Sequence, residues 1–502
     1  MLTYDRGNLI LMGEGLVSTL KDYDSRPLEQ RPVFWFYGSA SMAYGIKDNA
    51  FSYLLLIFAN QVLGIPGYLA AIALALAMIW DSVSDLLLGH WSDKTNSKYG
   101  RRHPFMYSSL LIFPLAFYAL FNPVIDIDTP ITGFWYILTM ALLIRTGTTL
   151  FEVPSTALLP DLEQDYDQRN RWLALRHGFG WYGGNGIHTV NFFFWVGAYG
   201  VASATGYAIY GTVGALIIAA TIIMSAFGTQ KIAASLERPT DTFKLNEIAK
   251  EIGQIFQSVK NRNFGSLFGY GLVVGIAGGL GTALYLYNTV YFFGFSGNQI
   301  ATTGVCVLIS PIIAYWATPY FATRYGKPST AICALLFRLA LYPIPYILLL
   351  SGYWPEMGSW LSLACYSVFI VAEVVGLVIG NVLLDSMMAD VVEDSEVLTQ
   401  RRSEGLFYAA RGFAYKAVSA GGIISAGTIV SLVGLDGITS VTQVTWEIRY
   451  DLATFFLPLY CSLCLFAIWV VSHYKIDRES HQANLDTLAE RQKEADSQEA
   501  NT

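Results

Sequence analysis

Long apolar runs separated by short polar loops dominate this chain. A helix needs roughly 20 mostly apolar residues to cross a hydrocarbon core of about 30 Å. About twelve runs reach that length; their approximate spans are 33–60, 66–90, 104–122, 133–159, 172–198, 204–228, 264–292, 299–321, 328–350, 358–388, 405–434 and 447–473. The pattern predicts an all-α membrane protein with twelve transmembrane helices.

The longest polar insert, roughly residues 229–263, lies between the sixth and seventh runs. It predicts five regions, which are an N-terminal segment (1–32), a six-helix bundle (33–228), a cytoplasmic linker (229–263), a second six-helix bundle (264–474) and a tail (475–502). We expect the tail to be solvated, with some helix. Two six-helix halves joined by a linker form the layout of the major facilitator fold, in which the substrate lies near the midplane between the halves.

Basic residues concentrate in the loops on one side of the predicted membrane. These loops contain Lys94, Lys98, Arg101, Arg102, Arg169, Arg171, Arg324, Lys327, Arg401 and Arg402, together with the basic residues of the linker. Loops on the other side contain almost no Lys or Arg, and Arg449 is the exception. Since short cytoplasmic loops carry the positive excess, we expect both termini in the cytoplasm and a multi-pass protein of the plasma membrane, which in a bacterium is the inner membrane.

The composition supports a membrane protein. Of the 502 residues, 54% are hydrophobic and 14% are charged, against about 25% charged in soluble proteins. The net charge of -7 is spread over loops and tails, which gives no case for nucleic-acid binding. The five cysteines lie in apolar stretches, and residues 1–32 have no apolar stretch typical of a cleaved signal peptide.

Two carboxylates end the second run. Asp81 and Asp85 are one helical turn apart and share a face, about 6 Å apart along the axis. Carboxylates this close share a proton or hold a cation between them, and Ser84 adds a hydroxyl. On the fourth run, Arg145, Thr149 and Glu152 form one face. Thr149 and Glu152 lie at a depth comparable to that of the two aspartates, so oxygen ligands from two helices could meet.

Such a cluster suits either sodium, which prefers several hard oxygen ligands, or a proton, which needs one carboxylate with a raised pKa. The alternative is a buried ion network in which Asp81 and Asp85 pair with Arg145 or Lys47 and only fix helix packing. Charge inside a membrane is rarely kept for packing alone, so an ion-transporting site is favoured.

Further charges interrupt the first, fifth and eleventh runs. Lys47 and Asp48 lie near the centre of the first run, and adjacent residues point about 100° apart on a helix, so they need not pair with each other. Arg176 on the fifth run could fork onto vicinal hydroxyls or a carboxylate if it faces a cavity. On the eleventh run, Arg411 and Lys416 occur, and Lys416 needs a carboxylate or a ligand.

The tenth run ends in Asp390 and Glu393, and the following loop contains Arg402. Facing charges here suit a cytoplasmic gate whose ion pairs form when the site faces outward, although a solvated helix end with routine pairs is the alternative. Glu373, higher in the same run, has no obvious partner in the sequence.

Read together, these runs resemble the glycoside-pentoside-hexuronide:cation symporter family over residues 33–474. The segment Ile79-Trp80-Asp81-Ser-Val-Ser84-Asp85 is similar to the family's cation motif, and Thr149 matches its cation-site threonine. The resemblance implies sodium ligation by Asp81, Asp85 and Thr149 if sodium is the coupling ion. Many members have Asn where this chain has Ser84, so the choice between sodium and a proton stays open.

The same resemblance implies a sugar site. Lys47-Asp48 matches a Lys-Asp pair, Glu152 lies where melibiose permease has Asp, and Arg176 matches an arginine after a one-residue gap. Asp390, Glu393 and Lys416 match gate carboxylates and a substrate-site lysine. Thr156 replaces a ring-stacking tryptophan and Arg145 is added, which leaves room for a longer or anionic sugar.

The function implied is cation-coupled symport of a sugar, glycoside or hexuronide into the cell, in a monomer, with no cofactor other than the coupling ion. A lysolipid carrier of the same superfamily is the alternative. No catalytic motif indicates an enzyme, and a sensor would need a larger output domain than residues 475–502.

Overall fold

The computed structural model describes residues 28–163, 165–234, 261–399 and 404–499, and every long element in them is a helix. The first half contains α1 to α6: Pro32–Asn49, Gly67–Asp93, His103–Phe121, Pro130–Ala157, Tyr166–Phe194 and Ala204–Ala233. The second half contains α7 to α12: Arg262–Leu286, Gly297–Tyr325, Lys327–Leu341 with its continuation Ile344–Leu350, Trp360–Thr399, Glu404–Leu432 and Trp446–Val471. A final helix, α13, spans Arg478–Glu499.

These twelve helices confirm the predicted fold class. Among the described residues, ten are long and apolar enough to cross a membrane by length and composition. The other two are α1 and α5, which are the helices that carry Lys47, Asp48, Arg176 and several further polar residues. These charged residues lower the hydropathy from which a membrane-spanning helix is predicted.

Local sequence sets several helix starts. Pro130 stands at the first turn of α4, where its missing N–H costs nothing, and the Thr129 side chain accepts a hydrogen bond from Thr132 N. Ser296 and Gln299 form a capping box that begins α8. These caps satisfy backbone donors that a helix end would otherwise leave unpaired.

A widened turn repeats at the same place in both halves. α1 continues through the π-helical turns Ala50–Leu54 and Phe58–Val62, and α7 continues through the π-helical turn Tyr287–Phe292. The last π-helical turn in each half is followed by a glycine with positive φ, Gly64 at 66° and Gly294 at 74°, a conformation that only glycine adopts freely. The first helices of the two halves therefore leave the membrane through equivalent turns.

The halves meet along two helix pairs, α2 with α11 and α5 with α8. These pairs are equivalent, because a shift of six helices turns α2 into α8 and α5 into α11. Glycines permit the close approach: a Cβ on Gly427 of α11 would lie 2.3 Å from the Gly67 carbonyl oxygen of α2, and one on Gly304 of α8 would lie 2.5 Å from Thr189 Oγ1 of α5.

Hydrogen bonds close the gap between the halves on one side of the protein, which we call the closed side; it carries the loops 63–66, 293–296 and 433–445. Asp436 Oδ1 accepts hydrogen bonds from Asn60 Nδ2 at 2.7 Å and from Gly67 N at 2.9 Å. Tyr287 OH donates to Asn60 Oδ1 at 3.1 Å. Three elements from both halves thus converge on Asn60.

The opposite side, which we call the basic side, carries the loop 94–102 and the helix α13. Midway along α1, the Asp48 side chain is 54% exposed while its neighbour Lys47 is 1% exposed. A carboxylate so exposed at mid-helix lies against open space rather than against packed helices. Because one side is closed and Asp48 is exposed near the centre, we infer a central cavity that opens away from the closed side.

Candidate functional site

The structure brings the predicted cation ligands of α2 and α4 together. Asp81 is 1% exposed, and its Oδ2 accepts a hydrogen bond from Arg145 Nη1 at 3.1 Å. Thr149 Oγ1 lies 3.5 Å from Asp81 Oδ1 and 3.1 Å from Ser84 Oγ. A carboxylate and two hydroxyls thus offer a group of hard oxygen atoms, which is the kind of donor set that suits sodium.

Lys416 of α11 reaches across from the second half to the same carboxylates. Its Nζ lies 2.5 Å from Asp85 Oδ2 and 3.2 Å from Asp81 Oδ2. The ammonium group therefore stands between the two carboxylates, where the sequence predicts a coupling cation. It also provides a direct ionic link between the halves near the middle of the protein.

Arg145 is held by an aromatic ring as well as by Asp81. Its guanidinium carbon lies 4.3 Å from the centre of the Phe51 ring in the first π-helical turn of α1. A buried cation over an aromatic face gains from the ring quadrupole. The buried Nε of Arg145 has no hydrogen-bond partner among the described residues. The packing alternative, in which Asp81 pairs with Arg145, thus describes real contacts, but it leaves that donor unused.

The two charges of α1 do pair with each other, at 2.6 Å between Lys47 Nζ and Asp48 Oδ1. The long lysine side chain spans the angle between adjacent helical positions. Glu152 of α4 interacts electrostatically with Lys416 and with Lys47, but it makes no ion pair within 4 Å in the described ranges. Among the predicted substrate residues, Asp48 and Glu152 are therefore the carboxylates with capacity for another ligand.

Arg176 is placed differently from the exposed fork that its sequence position suggests. It is 3% exposed, and its Nη2 donates to Ser155 Oγ at 2.9 Å and to Thr156 Oγ1 at 2.7 Å. Its guanidinium also lies over the rings of Tyr37 and Tyr44, at 4.8 and 5.4 Å. The protein's own hydroxyls thus take the hydrogen bonds, and a role in substrate binding stays a prediction.

One buried charge pair was missed by sequence reasoning. Arg338 of α9 donates to Glu373 Oε1 of α10 from Nη2 at 2.5 Å and from Nε at 3.1 Å. Tyr460 of α12 bonds both, at 2.9 Å to the guanidinium and 3.0 Å to the carboxylate. The expectation that Glu373 has no obvious partner is therefore wrong. The sequence signal that could have indicated this partner is Arg338, a lone arginine within the apolar run 328–350.

At the end of α10, Asp390 forms its ion pair within its own half. Lys327 Nζ lies 2.6 Å from Asp390 Oδ1, and His481 Nδ1 of α13 lies 3.1 Å from Glu393 Oε2. Burial and the nearby Asp390 carboxylate raise the pKa of Tyr474, just after α12. Arg402, the third predicted gate residue, lies outside the described residues, as does the side chain of Arg411. The gate stays a prediction.

The tail is helical and largely exposed, as expected, and it also contacts the rest of the protein. α13 packs against the end of α10, where Arg491 Nη1 donates to the Val397 carbonyl oxygen at 3.0 Å and Asn484 Nδ2 to Asp394 Oδ1 at 3.4 Å. These partners of α13 are backbone or charged groups at a helix end. Hydropathy could not reveal such contacts, because the helix has no apolar face to predict a docking surface.

Two pseudo-equivalent six-helix halves, closed on one side around a buried charge cluster, define a membrane transporter. A family profile described as MFS/sugar transport protein matches residues 36–478, and the chain belongs to that family. This confirms the major facilitator assignment made from the sequence.

Among curated relatives, an uncharacterized symporter from Synechocystis, sll1374, is 33% identical over 147 residues, which is 28% of this chain and 27% of the relative. The chain thus matches about a quarter of that relative's length. Its printed description as a symporter applies to that protein.

Solved transporters share the fold at low sequence identity. The nucleoside transporter NupG has a TM-score of 0.60 at 15% identity, covering 89% of this chain and 100% of its own. A bacterial homologue of the human lysosomal transporter Spinster, in an inward-facing conformation, has a TM-score of 0.60 at 12% identity, covering 92% and 99%. The xylose transporter XylE of E. coli has a TM-score of 0.56 at 11% identity, covering 87% of this chain and 97% of its own.

Proposed function

We propose that the protein is a cation-coupled symporter that carries a sugar, glycoside or hexuronide into the cell by alternating access. The observation that carries the proposal is the pair of buried Asp81 and partly exposed Asp85 with the Lys416 ammonium between them. Two carboxylates joined to the opposite half by a cation can exchange that cation for a transported one. We place the protein in the plasma membrane, as a monomer, with the basic side toward the cytoplasm.

Lys416 and the coupling cation compete in this mechanism. Sodium or a proton bound at Asp81 and Asp85 weakens the attraction that holds the Lys416 ammonium against α2. When the cation leaves, Lys416 returns to the carboxylates and neutralises them, so that the empty carrier does not keep a bare charge pair inside the membrane. The transported cation and the tethered ammonium therefore occupy the site in turn.

The sugar binds on the cavity side of the same cluster in this proposal. Asp48 and Glu152 accept hydrogen bonds from vicinal hydroxyls, and Lys416, once released from Asp85, remains near Glu152. Cation binding therefore frees a donor for the sugar, which raises sugar affinity. Because coupling is reciprocal, bound sugar raises cation affinity by the same factor.

Uptake into proteoliposomes tests the proposal. Neutral and acidic mono- and oligosaccharides are offered under an imposed sodium or proton gradient to the wild type, to Asp81→Asn and to the matched control Asp126→Asn, which alters an exposed loop aspartate. We expect accumulation that requires one gradient, is lost in Asp81→Asn and is unchanged in the control.

Accumulation that survives Asp81→Asn would move the coupling site away from α2. Absence of any sugar accumulation under either gradient would reject the carbohydrate proposal, and gradient-driven lysolipid uptake in the same vesicles would put the lipid carrier in its place.

A further inference from the structure

A second cavity lies between the halves, on the closed side of the charge cluster. Its volume is about 110 Å³, enough for several waters, since one water needs about 10–15 Å³. The first half contributes Tyr53, Asn185 and His188 to its lining, and the second half contributes Tyr285, Arg338 and Glu373 among others. A ligand here would touch both halves of the transporter.

His188 offers this cavity a buried polar atom that no described residue bonds. The residue is 6% exposed, and its buried Nδ1 has no hydrogen-bond partner among the described residues. Its ring packs against those of Tyr53 at 5.2 Å and Phe192 at 5.0 Å between centroids, which fixes its orientation. Buried polar groups are nearly always satisfied, so a ligand with hydroxyl groups would supply what the protein does not.

The charges in the lining cancel. Arg338 and Glu373 pair at 2.5 Å, and Tyr460 bonds both. A ligand with a net charge would have to compete with one member of this pair, whereas a neutral hydroxyl can bond to either member without separating them. The electrostatics therefore favour an uncharged, hydroxyl-rich ligand.

Aromatic rings and small residues shape the remaining wall. Tyr53 and Tyr285 meet edge to face at 5.4 Å, and Tyr285 OH is already bonded to Thr303 Oγ1 at 2.6 Å. Gly278 and Gly281 leave room beside them. An aromatic wall with a few convergent polar groups is the usual design of a small-molecule site, and it suits the apolar and hydroxylated faces of a sugar ring.

Two helices link the lining of this cavity to the charge cluster. Tyr53 follows Asp48 by five residues and lies in the π-helical turn Ala50–Leu54 that continues α1. On the other wall, a Cβ on Gly278 would lie 3.7 Å from the hydroxyl of Tyr415, the residue before Lys416. Two sugar rings in succession could thus reach both places.

We propose that this cavity is a subsite for a second, uncharged sugar ring, so that the transported substrate is a disaccharide or a longer glycoside. The inference rests on the proposed sugar symport. In it, the first ring binds at Asp48 and Glu152, and the second ring bonds His188 and the Arg338–Glu373 pair. A substrate in both places spans the two halves and favours their closure around it.

Matched sugar pairs test the subsite in proteoliposomes: methyl β-D-xyloside with xylobiose, methyl β-D-glucoside with cellobiose, and methyl α-D-galactoside with melibiose. Apparent affinities are measured for the wild type, for His188→Leu, for His188→Asn and for the control His177→Leu, which changes an exposed residue of the same helix. We expect His188→Leu to weaken the disaccharide by about 3–10-fold, the loss of one hydrogen bond, and to leave the methyl glycoside within about 2-fold.

His188→Asn keeps an amide donor and acceptor and should recover part of the disaccharide affinity, which loss of folding would not allow. Equal effects of His188→Leu on both members of a pair, or no effect on either, would overturn the subsite while leaving sugar symport standing. If no sugar of any pair is transported under either gradient, sugar symport fails and the subsite fails with it.

Discussion

Removing the Asp436 carboxylate should open the closed side. Asp436→Ala deletes the acceptor of two hydrogen bonds that join the halves, from Asn60 Nδ2 at 2.7 Å and from Gly67 N at 2.9 Å. Both donors stay in the first half, so the substitution weakens only the contact between the halves. The helices on either side keep their own hydrogen bonds.

The size of the effect follows from the exposure of the carboxylate. A hydrogen bond to a buried charged group contributes about 1.5–3 kcal/mol, but Asp436 is exposed to solvent and each bond is reduced to about 0.5–1 kcal/mol. Two bonds give about 1–2 kcal/mol, which at 1.4 kcal/mol per factor of ten increases the population open on this side by about 5–30-fold.

Thiol labelling measures that population. Thr282 lines the cavity beneath the closed side, so Thr282→Cys is made in a chain whose five native cysteines are replaced. A membrane-impermeant maleimide is applied to the closed side alone. We expect labelling about 5–30-fold faster with Asp436→Ala and unchanged with the control Asp128→Ala, an exposed aspartate in a loop of the same side. Equal or slower labelling with Asp436→Ala would refute the reasoning.

Two ion pairs that link helices inside the protein give further predictions, each measured as the thermal stability of the purified protein in detergent. Lys416→Met leaves Asp81 and Asp85 with one cation fewer and should cost about 2–4 kcal/mol, part of which Asp85→Asn in the same chain restores. Arg338→Leu should cost about 3–5 kcal/mol by leaving Glu373 unpaired, and Glu373→Leu added to it should recover most of that loss. Additive losses in either double variant would contradict the pairing.

Hydropathy predicted the helices well because the bilayer imposes one length on all of them. The predicted run 264–292, for instance, matches α7 and its π-helical turn, which together span 262–292. The ends of α10 and the packing of α13 were not predictable in the same way. There the helices leave the membrane, and the bilayer no longer requires apolar residues.

The site was predictable where charges lie on one helix face. Asp81 and Asp85 are related by one turn, so their meeting needs no tertiary information. Lys416 was expected to need a carboxylate, but its partners on α2 depend on how the two halves pack. The pair of Arg338 with Glu373 depends in the same way on the contact of α9 with α10, which no spacing along the sequence encodes.

The repeated π-helical turn has a consequence for the history of the chain. A widened turn ending in a left-handed glycine recurs at Gly64 and Gly294, although only the first half carries a Lys-Asp pair in the preceding helix. Duplication of one ancestral bundle that already had this turn accounts for the coincidence. The turn would then be older than the functional difference between the halves. The Lys-Asp pair of α1 would be a later acquisition of one copy.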